Sequence, residues 1–389
     1  MEGRLWDVKN KFVLLADMLV NMGIGLIMPI TTLYVHNSLH QSLVVAGYVL
    51  LGFSGAMTVG NLIGGQLFDS WHQKKTMYVG GITQVLALIL LAIFPIWPWY
   101  PILLGVYGLG LGILNSAING FLAFLQKEDA QIFNNGYWMA NIGMAVATLL
   151  SGVLFDISIR LIFAGAAVLF LLTILLIRIK FPTFTVAQTN NESQKQQSAA
   201  NSRHPWSVVL ICITMITIWL CYEQWNSNVA VLMTEQGISV TSYSMLFTIS
   251  TVEIVVLQPL LTRLFRNSFR ADRLRVILGT LIFAGSYLTL VYAKVYWQFV
   301  VGITFVSVGE ILALTAIPML LNRYAHDNNR GRLQSLSSLS GSLGRALGPL
   351  AGGSLITALG YGQTFWIFFL AHVVVTGMIL LVRQPEGTN

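Results

Sequence analysis

Hydrophobic residues fill this chain in long uninterrupted blocks, and polar residues collect in the short segments between them. A helix needs about 20 mostly apolar residues to cross the hydrocarbon core of a bilayer. The blocks of that length are residues 12–34, 43–68, 75–95, 98–124, 132–156, 159–180, 206–233, 241–264, 272–292, 296–321, 331–358 and 362–383. The pattern therefore predicts an all-α, polytopic membrane protein with twelve transmembrane helices.

One longer polar segment divides the blocks into two sets of six. It covers residues 181–204 and is rich in Gln, Asn and Ser, so it has almost nothing to bury. We expect a cytoplasmic linker there. The linker would join an N-terminal six-helix bundle, residues 1–180, to a C-terminal six-helix bundle, residues 205–389.

An internal repeat supports two pseudo-symmetric bundles. Residues 141–154 in the fifth block align with residues 342–355 in the eleventh. Small residues three or four positions apart let helix backbones approach closely in lipid, so we expect helix-packing surfaces here. Two related halves also suggest a transporter whose site lies where the halves meet. The small residues and the proline of the repeat are Gly143, Gly344, Gly348, Pro349 and Gly352.

The charges are few and unevenly placed. Only 10% of the residues are charged, against roughly 25% in soluble domains, which excludes a soluble enzyme and a nucleic-acid-binding module. With both termini in the cytoplasm, 19 of the 22 Lys and Arg residues fall on the cytoplasmic side. The positive-inside rule favours that orientation, so the net charge of +7 indicates topology in the cell membrane rather than an acidic partner.

Five charged residues lie in the interior of the blocks, away from their ends, and they are the strongest functional candidates. Burying a charge near the bilayer centre costs at least roughly 2.5–3.5 kcal/mol, so such groups face a cavity or a partner. Arg345 can neutralise one acid at most, which leaves others to carry a proton or to bind a substrate's charge. Alternatively, Arg345 pairs with Glu310 or Glu253 and merely joins two helices. The remaining two candidates are Asp17, which could instead anchor to cytoplasmic bases, and Glu223.

Aromatic and amide side chains surround Glu223 in sequence. Trp and Tyr rings bind cations and flat apolar compounds, so this segment is a candidate lining for a substrate cavity. The alternative is an aromatic belt at the outer membrane interface. Tyr137 and Trp138 carry the same two interpretations near the inner leaflet. The residues around Glu223 are Tyr222, Gln224, Trp225, Asn226 and Asn228.

The loop after the second block carries a specific motif. Residues 65–76 resemble the loop Gly-x-Leu-x-Asp-(Arg/Lys)-x-Gly-(Arg/Lys)-(Arg/Lys) of the major facilitator superfamily. Gly65, Leu67, Asp69 and Lys74 match that pattern. Ser70, His72 and Gln73 depart from it. The resemblance implies that the matching residues form a latch that favours one access state of a transporter.

Further motifs resemble the twelve-helix drug:proton antiporters of this superfamily. These are the Gly344-to-Gly353 run, the Tyr137-Trp138 pair, and Gly309-Glu310-Ile311 in the tenth block. The chain departs from that branch in two places, because residues 98–124 contain no Arg and Gly136 stands where an acid is common. The resemblance implies proton-coupled efflux, with Glu310 as the first choice for the coupling site.

The resulting hypothesis is a secondary active transporter that exports amphipathic or cationic drug-like compounds by alternating access. Its partners would be a small-molecule substrate, protons and the lipid bilayer, and we expect a monomer without enzyme activity. No cofactor, metal or nucleic-acid signature occurs in the chain. A permease or flippase for a sugar, anionic metabolite or lipid-linked intermediate is the alternative, with Arg345 binding an anionic group. A non-transporting membrane sensor ranks third.

Overall fold

The structure, a computed structural model, describes residues 2–125, 132–181, 205–265, 268–324 and 330–384. The predicted linker therefore lies outside the described residues, apart from Phe181. The described part of the chain is helical, without strands. Its α-helices are α1 Glu2–Leu33, α2 Leu43–Ser70, α3 Gln73–Ile93, α4 Trp99–Leu125, α5 Ile132–Ile157, α6 Ile159–Lys180, α7 Pro205–Asn226, α8 Asn228–Glu235, α9 Val240–Arg263, α10 Phe269–Val291, α11 Tyr296–Asn322 and α12 Arg330–Leu380, and a short π-helix, Tyr34–Ser38, continues α1.

Eleven helical segments of the described chain are long and apolar enough to cross a bilayer. The last, Ser335–Leu380, has 46 residues and is long enough for two crossings. Gly360 divides it, since its φ of 79° and ψ of 167° are not helical. Glycine adopts positive φ without steric cost, so the chain can turn there. The prediction of an all-α, twelve-helix membrane protein is confirmed.

The seventh span differs from its prediction. The sequence predicts one continuous helix over residues 206–233, whereas α7 ends at Asn226 and α8 begins at Asn228. Ser227, between them, has φ −128° and ψ −78°. Its Oγ donates to the Glu223 carbonyl oxygen at 2.5 Å. Ser and Asn side chains compete in this way with helical hydrogen bonding, and the break lies within one turn of Glu223.

The chain groups into two compact units. The first comprises Met1–Gln41, Tyr48–Thr189 and Ser239–Thr248, and in it α1 packs on α5 and α6 while α3 packs on α4 and α6. The second comprises Ser42–Gly47, Asn190–Ile238 and Ile249–Asn389. In the second unit α7 packs on α12, and α10 packs on both α11 and α12.

Glycines set the closest helix contacts in each unit. A Cβ at Gly143 would lie 2.7 Å from the Met18 carbonyl oxygen, so α5 approaches α1 more closely than alanine permits. A Cβ at Gly344 would lie 2.5 Å from the Ile216 carbonyl oxygen. Gly348 repeats this contact one turn later, and the following Pro349 is buried. Such close approach is typical of small residues in membrane helices, and it fixes α12 against α7.

Polar contacts join the ends of α10, α11 and α12 in the second unit. Arg323, just after α11, donates from Nε and Nη2 to Oδ2 of Asp272, with both distances 2.9 Å. Arg273 donates to the carbonyl oxygens of Ile379, at 3.0 Å, and Leu380. The guanidinium groups therefore connect three helix ends through one carboxylate and the C-terminal carbonyls of α12.

Candidate functional site

Three side chains of α7 and α12 form the first part of the site. The close packing of Gly344 and Gly348 on α7 brings Arg345 over the ring of Trp219, with the guanidinium carbon 4.3 Å from the ring centroid. Arg345 also interacts electrostatically with Glu223. Its side chain is exposed, whereas Trp219 and Glu223 are half-buried. A mid-span arginine is thus held by an aromatic face and a nearby carboxylate.

The second part of the site extends from α7 to α11. The rings of Trp219 and Tyr222 lie edge to face, with centroids 5.2 Å apart. Tyr222 forms a side-chain hydrogen bond with Glu310. The second oxygen of this carboxyl group, Oε2, is buried without a hydrogen-bond partner. The aromatic pair therefore links the arginine to the Glu310 carboxyl group.

We call Trp219, Tyr222, Glu223, Glu310 and Arg345 the charge cluster. Two acids and one base give it a net negative charge when all three are ionised, so it can accept one cation or one proton. Its rings offer faces that attract cations. Arg345 interacts electrostatically with Glu223, whereas the sequence interpretation offered Glu310 or Glu253 as its ion-pair partner.

Three of the residues predicted to line a substrate cavity lie in the interior of the second unit. Gln224 is fully buried and donates to the Gly348 carbonyl oxygen at 2.8 Å. Asn228 is buried and donates to Gln224 Oε1 at 2.7 Å, and Trp225 is buried against Gly302. Asn226 is half-buried and donates to Glu223 Oε2 at 3.4 Å. The amides of α7 and α8 therefore shape the helix break and the contact with α12.

Glu253 makes its contacts on α9 and α11. Thr304 Oγ1 lies 2.6 Å from Glu253 Oε1. One turn away, Ser307 donates to Ser250 Oγ at 2.9 Å. The Glu253 carboxyl group is half-buried, and its Oε2 atom is buried without a hydrogen-bond partner.

Asp17 is buried in the first unit, on α1. Asn21 donates to its carboxylate at 3.2 Å and to its carbonyl oxygen at 2.8 Å. A Cβ at Gly136 of α5 would lie 3.5 Å from Asp17 Oδ2. Trp138 is half-buried on α5, and the side chain of Tyr137 lies outside the described residues.

The predicted latch residues lie where α2 ends and α3 begins. Asp69 is exposed and Lys74 is half-buried. A Cβ at Gly65 would lie 3.3 Å from Ser116 Oγ on α4. Beside them, the Lys75 ammonium group lies 5.6 Å from the centroid of the exposed Trp71 ring.

Sequence reasoning missed Trp219 and Thr304. Trp219 lies three and four residues before Tyr222 and Glu223, so helical spacing alone places it on their face of α7. Thr304 carries no comparable signal, because its contact with Glu253 depends on how α11 crosses α9.

The helices cross the membrane twelve times, and their spans contain acids and an arginine. These features define a multi-pass membrane transport protein. The sequence pattern of the Major Facilitator Superfamily matches residues 13–227 and 224–389. The chain belongs to this family. It is therefore a transporter rather than an enzyme.

Two curated relatives cover almost the whole chain. The "Uncharacterized MFS-type transporter YttB" of Bacillus subtilis (strain 168) is 31% identical over 384 residues, which cover 97% of each protein. The "Tetracycline resistance protein, class H" of Pasteurella multocida is 23% identical, and the match covers 95% of this chain and 94% of that protein.

Solved structures share the fold at low sequence identity. A peptide transporter POT in complex with alafosfalin matches with a TM-score of 0.76 and 14% identity, covering 97% of this chain and 96% of that one. The nucleoside transporter NupG matches with a TM-score of 0.79 and 11% identity, covering 96% and 99%. These likenesses establish the twelve-helix transporter fold.

Proposed function

We propose that this protein exports amphipathic, cationic compounds in exchange for protons. The observation that carries the proposal is the half-buried Glu310 carboxyl group, which Tyr222 hydrogen-bonds while its second oxygen stays without a partner. Leaving a full carboxylate charge in that position costs free energy that a bound cation or a bound proton removes.

The charge cluster can hold either a cationic substrate or a proton. The rings of Trp219 and Tyr222 supply faces for a flat cationic substrate, and the Glu310 carboxylate supplies the opposite charge. Because Arg345 interacts with Glu223, Glu310 is the more available acid. Substrate binding and protonation at Glu310 then exclude one another, which is the condition for exchange.

The relative from Pasteurella multocida supports the drug-export branch, since its name states resistance to tetracycline. We include in the proposal a monomer with both termini in the cytoplasm and two six-helix bundles that alternate in access. Gly65, Asp69 and Lys74 act in it as the latch, because they match the loop motif of the family.

The test is transport of a lipophilic cationic dye by purified protein in proteoliposomes under an imposed proton gradient. Glu310→Gln keeps the size and the hydrogen-bonding capacity of the side chain but removes its titration. We expect gradient-driven dye movement to be lost, while insertion and thermal stability remain near those of the wild type.

The matched control is Glu235→Gln, the same change at an exposed position at the end of α8. It should transport like the wild type. Unchanged proton-driven transport by the Glu310→Gln protein contradicts the proposal.

Arg345 favours one second candidate function, a permease for an anionic solute. Its side chain is exposed, and it is stacked on Trp219 instead of lying within ion-pair distance of a carboxylate in the described chain. Binding of an organic anion that stabilises the wild type, and that Arg345→Gln abolishes, favours this function over cation export.

A further inference from the structure

Helix α11 has a weak point at Pro318, which lies inside the helix. Proline has no backbone N–H, so the Leu314 carbonyl oxygen lacks its helical donor, and the proline ring crowds that oxygen. The Thr315 hydroxyl donates to the Ile311 carbonyl oxygen at 2.6 Å, and such back-bonding also bends helices. We call residues 314–318 the proline joint. The direction of α11 beyond this joint is therefore not set by the helix's own hydrogen bonds alone.

The side chain of Arg275, on α10, spans the proline joint. Its Nη2 donates to Thr315 Oγ1 at 2.5 Å, three residues before the proline. Its Nη1 lies 3.6 Å from Met319 Sδ, one residue after the proline. The single hydroxyl hydrogen of Thr315 goes to the Ile311 carbonyl oxygen, so the hydroxyl oxygen can accept from the arginine. One guanidinium group thus contacts α11 on both sides of the joint.

The packing of α10 on α11 places the proline joint between two fixed points. A Cβ at Gly279 would lie 2.6 Å from the Ala313 backbone nitrogen, so the two backbones touch just before the joint. Beyond the joint, Arg323 is held by the Asp272 carboxylate, with both donor distances 2.9 Å. The stretch between these points contains Pro318 and lies at the level of the guanidinium contacts.

The positive charge of Arg275 is compensated only in part within the described chain. The residue is 4% exposed, and its Nε atom is buried without a hydrogen-bond partner. Asp272 interacts with it electrostatically, but Oδ2 of that carboxylate accepts from Arg323. The Phe265 ring centroid lies 5.9 Å from the guanidinium carbon.

Stability alone does not account for a buried arginine of this kind. Taking a charge out of water costs free energy that a hydroxyl group, a thioether and a ring offset only in part. Apolar residues of similar volume are often as stable or more stable at such positions. The arrangement is better explained by what the Arg275 side chain positions, and replacing it by an apolar residue need not unfold the protein.

We infer that Arg275 is a positioning residue for Glu310 and acts through the proline joint. By holding both sides of the joint, the guanidinium group fixes the helical turn that directly follows Glu310. That turn sets the rotation of the carboxyl group about the helix axis and keeps it within hydrogen-bonding reach of Tyr222. The inference rests on the proposed function, in which Glu310 binds the cationic substrate.

Hydrogen–deuterium exchange tests the joint without any substrate. Full-length protein in lipid nanodiscs is labelled, and peptides that cover residues 311–322 are followed by mass spectrometry. Arg275→Met removes both contacts, so exchange in this stretch should be faster by roughly 10-fold, the equivalent of one hydrogen bond to a charged group. Thr315→Val should accelerate exchange in the same stretch, whereas Thr315→Ser keeps the hydroxyl group and should exchange like the wild type.

Removing the proline gives the decisive comparison. Pro318→Ala restores an N–H that donates to the Leu314 carbonyl oxygen, so α11 no longer depends on the arginine. In that background Arg275→Met should leave the exchange unchanged. The matched control is Arg270→Met, the same change at an exposed position of α10, which should exchange like the wild type. An Arg275→Met effect of equal size with and without the proline overturns the inference, as does wild-type exchange in Arg275→Met.

Transport kinetics separate positioning from a general loss of stability. In proteoliposomes, Arg275→Met should raise the KM for the cationic dye by roughly 10-fold, because a displaced Glu310 carboxylate binds the cation less well. Adding Pro318→Ala should return the KM to that of the single Pro318→Ala variant. A fall in kcat with an unchanged KM contradicts the positioning role.

The two measurements also separate this inference from the function on which it rests. If the wild type moves no cationic dye, the proposed function fails, while the exchange result still decides whether Arg275 holds the proline joint. If the dye moves and Arg275→Met has the KM of the wild type, the proposed function stands and the positioning of Glu310 by the arginine is refuted.

Discussion

The guanidinium carbon of Arg345 lies 4.3 Å from the centroid of the Trp219 ring, so the mid-span base stacks on an aromatic face. Glu223, its electrostatic partner, lies one turn beyond Trp219 on α7. The Trp219 ring and the Glu223 carboxylate therefore both stabilise the positive charge of Arg345.

The interaction of Trp219 with Arg345 can be measured by a double-mutant cycle. Trp219→Leu and Arg345→Met should each destabilise the protein in detergent, and the double variant should lose less than their sum. The coupling should be about 0.5–2 kcal/mol, the range of a cation–π pair. Trp297→Leu, at a ring that is 72% exposed, is the control and should show no coupling with Arg345→Met. Additive effects at Trp219 contradict the stacking.

Tyr222→Phe separates the ring from its hydroxyl group. The aromatic contact with Trp219 remains, but Glu310 loses a hydrogen bond. A hydrogen bond to a charged group contributes about 1.5–3 kcal/mol, so dye export should slow by roughly 10-fold or more. The readout is the initial rate in proteoliposomes. Tyr292→Phe, at an exposed position after α10, should be silent; equal rates for both variants show that the hydroxyl group has no part in transport.

The close contact of α12 with α7 predicts that alanine destabilises the protein at Gly344 but not at Gly377, where α12 has free space. Gly344→Ala places a Cβ 2.5 Å from the Ile216 carbonyl oxygen and must push the helices apart. Overpacking of this kind costs about 1–3 kcal/mol, so the melting temperature should fall. Gly377→Ala, where a Cβ meets nothing within 4 Å, should be neutral or stabilising. Equal melting temperatures for both variants contradict the packing.

The Asp272–Arg323 pair predicts that Arg323→Ala is less stable than Asp272→Ala. Asp272 is 3% exposed and Arg323 is 20% exposed. Arg323→Ala removes the main partner of a buried carboxylate, and breaking a buried pair in this way costs about 3–5 kcal/mol. Asp272→Ala leaves the more exposed cation, which water can reach, and should cost less. Chemical unfolding of both variants gives the comparison, and the reverse order is the contradicting result.

The position of Gly136 beside the Asp17 carboxyl group predicts a pH-dependent variant. Gly136→Ala should be tolerated, because its Cβ would be 3.5 Å from Asp17 Oδ2 in ordinary contact. Gly136→Asp adds a second carboxylate beside Asp17, and like charges at that distance disfavour ionisation of both. The aspartate variant should therefore be destabilised near neutral pH and recover as the pH falls. Gly136→Asn, with the same size and no charge, should show no such recovery in a melting series across pH.

Much of the fold follows from the sequence for a simple reason. Apolar blocks of about 20 residues have few stable environments other than a bilayer, so their number predicts the helices directly. The hydropathy pattern did not predict the break at Ser227. A local hydrogen bond such as that from Ser227 to the Glu223 carbonyl oxygen does not change the mean hydropathy of an apolar block. The joint at Gly360 was anticipated by the gap between residues 358 and 362.

The candidate site was predictable only in part. The free-energy cost of burying a charge in the bilayer identified four residues that need partners: Glu223, Glu253, Glu310 and Arg345. That cost does not identify the partners. Each helix is apolar on most sides, so the hydrophobic pattern does not show which side faces the interior of the protein. Gln224, Trp225 and Asn228 were grouped with Tyr222 by sequence, yet they point into the interior.

The sequence by itself determined that this is a twelve-helix membrane protein with acids and an arginine inside its spans, because length, hydropathy and charge are properties of single segments. Only the tertiary structure decided that Arg345 rests on Trp219, that Tyr222 reaches Glu310, and that Glu253 meets Thr304. These are contacts between helices, and they depend on the rotation and crossing of each helix, which close glycine contacts fix in three dimensions.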